Sequence, residues 1–143
     1  MRTIVCGVDT SPGARTALRV AASVAEELEA RLLAVHVLDR LVDVGPAAER
    51  VAADVLYAEA PDARAEARGE VGDVAERLAA VAREEDALMI VLGARSRGRS
   101  RTFLRARCAG ELAELTEVPI FVAPLQLAAD PVLRQVTTQG GFS

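Results

Sequence analysis

The chain is 143 residues long, 51% apolar but only 3% aromatic, with a formal net charge of -4 and 17 cationic residues that are all arginine. That length fits one domain with a core of its own and leaves little room for a second. The acidic balance argues against a nucleic-acid binder, whose domain is normally basic throughout, and no stretch approaches the roughly 20 apolar residues that cross a bilayer.

With so few aromatics, the core has to be built from Val, Leu, Ile and Ala, side chains that suit close packing of helices on a sheet. The start, MRTIVCGVD, lacks the charged flank, long apolar run and small-residue cleavage site of a secretory leader, so a cytoplasmic location is expected. Thr3 to Val8 reads as a buried strand. Asp9-Thr10-Ser11-Pro12 then turns the chain into a helix, with Ser11 able to cap it and Pro12 in its first position. Ala14, Ala17, Leu18, Ala21, Ala25 and Leu28 share one face of that helix, while Arg15, Arg19, Glu26 and Glu27 fall off it. Leu32 to Leu38 is a second buried strand, which makes the opening a βαβ unit.

Asp39 to Gly45 reads as a loop, and Pro46 starts a second helix with Val51, Val55 and Leu56 inward, limited by Pro61. Asp62 to Glu70 alternates Ala63, Ala65 and Ala67 with Arg64, Glu66 and Arg68, the period of a half-exposed edge strand. Asp73 and Glu76 have capping-box spacing, and Leu78, Val81 and Ala82 give the third helix its apolar stripe. Leu88 to Leu92 is a short buried strand closed by Gly93. Beyond it lie six arginines between Arg95 and Arg107, then a fourth helix and a last apolar strand, Val118 to Pro124. Five strands alternating with four helices make a single α/β domain with an open, mostly parallel sheet, residues 1–125. Residues 126–143 read as a tail, expected to be frayed or docking.

The junction after Gly93 directs attention to anions, because a helix start offers orphan N–H groups and the positive end of the helix dipole. The run LMIVLGARSRGRSRTFLRARCAGELAELTEVPIFVAP, Leu88 to Pro124, resembles the signature of the universal stress protein family, G-x2-G-x9-G-[ST] followed by a helix and an edge strand. Gly93 keeps the first glycine, whereas Ser96, Ala106 and Arg107 stand at the other three positions. Gly98 sits where many members have a further glycine, and Val118, Pro119, Ile120 and Val122 keep the closing V-P-[IV]-x-V strand.

The resemblance implies a Rossmann-like sheet of order 3-2-1-4-5, similar to the adenine-nucleotide alpha hydrolases. Its first and fourth strands reverse the chain direction at a switch point, where open α/β sheets bind ligands. It places Asp9 at the nucleoside, Val37 at the adenine, and the Gly7 and Val8 backbone near it. Leu92, Gly93, Arg95, Ser96, Gly98, Ala106, Arg107 and Cys108 fall on the phosphate side. It also implies ATP or another adenine nucleotide as ligand, Mg2+ only with that nucleotide, and a homodimer through Val118, Ile120, Phe121 and Val122. Two readings stay open: a stress-response protein with a weak nucleotide pocket, or an adaptor without nucleotide that acts through protein partners.

From the residues alone, Asp9 is equally a helix-capping turn residue. His36, the single histidine, reads as core. Cys6 and Cys108 lack metal-ligand spacing and read as free thiols. Glu26, Glu27, Glu84 and Glu85 read as solvated positions that form no acid/base pair. With no nucleophile, base or metal cluster, the chain is not expected to be an enzyme.

Overall fold

A computed structural model describes residues 1–38, 45–94 and 100–124, without the side chains of 45–46 and 100–107. The elements run β1 (Thr3–Gly7), α1 (Pro12–Glu27), β2 (Arg31–Leu38), α2 (Gly45–Glu59), β3 (Ala65–Val71), α3 (Val74–Glu84), β4 (Ala87–Gly93), α4 (Ser100–Leu115) and β5 (Ile120–Ala123). The five strands form one sheet in the order β3-β2-β1-β4-β5, with every adjacent pair parallel.

Alternation along each central strand sorts side chains into two layers. Ile4, Cys6, Leu32, Ala34 and Val91 pack with Ala17, Leu18 and Ala21 of α1 and with Ala52 and Val55 of α2. Val5, Leu33, Val35, Ile90 and Leu92 pack on the other face with Leu78, Val81 and Ala82 of α3 and with Cys108 and Leu112 of α4. The central strands are therefore apolar on both faces, as a doubly covered parallel sheet requires. Edge strand β3 has one apolar face, with Ala65 and Ala67 against the α1/α2 layer. Its other face carries charge.

The caps follow the local chemistry. Ser11 Oγ accepts the Ala14 N–H at 3.2 Å, and Asp73 Oδ2 accepts the Glu76 N–H at 3.0 Å. At the end of α1, Glu29 N–H donates to the Glu26 carbonyl and Ala30 N–H to that of Ala25. This is a Schellman closure around Glu29, whose φ is +52°. It also corrects the expected apolar stripe of α1: Leu28 is the C-cap and 41% exposed, because the chain leaves the helix there.

A second correction concerns α4, expected after Arg107. It begins at Ser100, so Ala106 and Arg107 lie nearly two turns inside it. The physical reason is composition. No glycine stands between Gly98 and Gly110, and Leu104, Arg105, Ala106 and Arg107 are all good helix formers.

A third correction concerns Glu84 and Glu85, which are paired rather than simply solvated. Arg68 on β3 meets Glu70 at 2.8 Å, Glu84 at 2.7 Å and Glu85 at 3.4 Å. Arg31 pairs with Glu85 and with Glu66, and Arg77 reaches Glu70 at 2.9 Å. Burial acts to lower the pKa of Arg68, but the hydrogen bonds and charges of Glu84 and Glu70 outweigh it and raise it. The network stitches α3 to the charged face of the edge strand.

Candidate functional site at the carboxyl ends of β1 and β4

Strands β1 and β4 are neighbours, yet β1 is followed by α1 on one face and β4 by α4 on the other. The crevice above their carboxyl ends is the switch point of the sheet. Asp9 stands at its β1 side, half-buried, with Oδ1 accepting the Ser11 N–H at 2.7 Å. That short Asx turn leads into the cap of α1, so the carboxylate has a fixed place. Ser11 is the cap and Asp9 the turn residue before it, and that turn holds the carboxylate at the crevice.

Val8 is buried, and its N–H donates to the Val35 carbonyl at 2.8 Å. Its own carbonyl lies 2.7 Å from Nδ1 of His36. A carbonyl can only accept, so Nδ1 carries the proton and donates. Both backbone groups of Val8 are therefore engaged by β2, and its N–H is already committed. Val37 is half-buried against the α3/α4 layer.

The two glycines of the site serve packing. A Cβ on Gly7 would sit 3.0 Å from Leu92 Cδ2 and 3.2 Å from Leu78 Cδ1. A Cβ on Gly93 would lie 2.5 Å from both C and O of Gly13 and 2.8 Å from the Ala14 nitrogen. The space that Gly93 leaves open is filled by the first turn of α1. Leu92 and Cys108 are buried in the α3/α4 layer. Arg95, Ser96 and Gly98 lie outside the described residues, as do the side chains of Ala106 and Arg107.

The profile of the Universal stress protein family matches residues 1–124 of this sequence. The chain belongs to that family. Solved universal stress proteins share its fold. One crystallised with cAMP superposes with a TM-score of 0.67 at 22% identity, covering 87% of this chain and 98% of that one. One from Archaeoglobus fulgidus with dAMP gives 0.66 at 23%, covering 85% and 97%. A family protein from Burkholderia pseudomallei gives 0.66 at 26%, covering 85% and 95%. No curated protein matches the sequence significantly.

In this universal stress protein the residues expected at the nucleoside, Gly7, Val8, Asp9 and Val37, lie at the carboxyl ends of β1 and β2. Those expected at the phosphates divide between the end of β4, the residues outside the description, and the interior of α4. An apolar side chain at Val37 and a carboxylate at Asp9 suit an adenosine, whose base offers a face and whose ribose offers hydroxyl donors. The phosphate half fits less well, since Gly93 is occupied by α1 backbone and positions 106 and 107 fall past the start of α4. Among the described residues no cluster of three or more His, Cys, Asp or Glu could hold a metal, and no helix is long and apolar enough to cross a membrane.

His36 is the site residue that sequence reasoning missed. Its one available signal was position: the single histidine directly precedes Val37, at the carboxyl end of β2.

Proposed function

We propose that this chain is a cytoplasmic stress-response protein that binds an adenine nucleotide at the β1/β4 switch point and recognises adenosine better than phosphate. The observation that carries this reading is the Asp9 carboxylate, held by Ser11 at the crevice of a sheet whose structural relatives were crystallised with cAMP and dAMP. Its activity is binding rather than turnover, and Mg2+ enters only with a nucleotide that brings its own phosphates.

Calorimetry with adenosine, AMP and ATP tests the proposal. AMP and ATP should bind within about fivefold of each other, a gap of ~1 kcal/mol. ATP affinity should fall as salt screens the arginine contacts. ATP binding more than about a hundredfold tighter than adenosine and insensitive to salt would refute it.

A second reading is favoured by β5, at the end of the sheet with Phe121 42% and Val122 44% exposed. In this reading the strand pairs with a second copy and the dimer works through protein partners without nucleotide. Val118 and Ile120, half-buried against the α3/α4 layer, would then support the contact from behind. Light scattering of the purified protein decides the dimer, and assay of heat-released nucleotide separates the two readings.

A further inference from the structure

We infer that His36 is a positioning residue for the ligand-facing turn. It acts through the Val8 carbonyl to fix where Asp9 and the start of α1 stand. The regular pairing of β1 with β2 ends at Gly7. One further rung, Val8 N–H to the Val35 carbonyl, extends it. The next is supplied by a side chain, the His36 ring donating from Nδ1 to the Val8 carbonyl at 2.7 Å.

From there the bonds run without a gap in sequence. Asp9 Oδ1 takes the Ser11 N–H, and Ser11 Oγ takes the Ala14 N–H. On its far side the same turn is held by Gly93, whose bare Cα lets Gly13 and Ala14 press against β4. The turn is thus clamped from β2 by a hydrogen bond and from β4 by contact. Only the first clamp can be released without a steric clash.

The geometry also fixes which histidine nitrogen matters. An asparagine at this position carries its amide nitrogen where Nδ1 stands, and a glutamine places it further out. Asparagine should therefore substitute, and glutamine and alanine should not.

Amide exchange by NMR on the ligand-free protein is the direct test. His36→Ala should speed exchange of the Val8 and Ser11 amides by about tenfold, the worth of one hydrogen bond, while the Glu76 amide at the start of α3 keeps its rate. His36→Asn should restore both rates, and the wild-type ring should show a proton on Nδ1. Unchanged Ser11 exchange, a uniform speeding at all three amides, or a proton on Nε2 alone would overturn the inference.

A binding arm rests on the nucleotide reading. AMP affinity should fall about tenfold in His36→Ala and recover in His36→Asn. If the wild type binds AMP and His36→Ala binds it equally, the positioning role fails. If the wild type does not bind AMP, the nucleotide reading fails, and amide exchange alone decides the role of His36.

Discussion

Replacing Gly93 with alanine tests the packing beneath the site most sharply. The added Cβ would stand 2.5 Å from two backbone atoms of Gly13, whereas ordinary contact begins at 3.4 Å, so α1 and β4 must separate by about 0.9 Å at that point. Neither neighbour is a flexible side chain that can swing away. The φ of Gly93 lies outside the left-handed range, so the cost is steric rather than conformational. Overpacking a well-filled interior typically costs ~1–3 kcal/mol, and backbone on both sides puts this case at or above ~2. For a domain this size that is a fall in Tm of roughly 5–10 °C.

Urea denaturation followed by circular dichroism measures it, with a lower midpoint and an unchanged slope expected. Gly110→Ala is the matched control. It lies on the exposed side of α4 with nothing within 4 Å of the new Cβ, so it should gain ~1 kcal/mol from helix propensity. If Gly93→Ala shifts stability by less than about 0.5 kcal/mol, the close approach of α1 to β4 is wrong.

Glu29 holds a left-handed conformation, so Glu29→Gly should stabilise the fold by a few tenths to ~1 kcal/mol, read as a raised urea midpoint. Asp86, with φ of +51°, should gain less from the same change, because Asp tolerates that region better. Leu78→Ala removes a fully buried side chain of the α3/α4 layer and should cost ~2–5 kcal/mol in the same titration. Arg68→Met, keeping the stem and removing the charge, should cost ~1 kcal/mol in low salt and less in high salt, as expected for a partly exposed network.

The elements most legible in the sequence were those whose pattern is local. Ser11-Pro12 and Asp73-x-x-Glu76 announced two helix starts, because a cap needs residues only three positions apart. The alanine-charge alternation from Ala63 to Arg68 gave the edge strand despite poor strand propensity, since β3 buries only one face. The start of α4 was misplaced because the family signature puts its helix after a glycine that this chain lacks at Ala106. Propensity across residues 104–107 carries the helix back to Ser100. At the site, Asp9 was legible as a strand-ending acid. The bond from His36 to Val8 was not, because it spans 28 positions and appears only when β2 lies beside β1. Gly93 was legible as the glycine that closes β4, but the approach of Gly13 that requires it belongs to the assembled layers.

The two borders of the sheet are chemically unlike. On β3, Glu66, Arg68 and Glu70 discourage a foreign strand, whereas β5 exposes Phe121 and Val122. If both borders were adhesive, one molecule could add head to tail onto the next without limit. With a single adhesive border, association through strands can only be of like with like about a two-fold axis, and it closes at two copies. If β5 does pair with a second copy, the charges of β3 would bar filament growth, and neutralising Glu66 and Arg68 together would remove that stop.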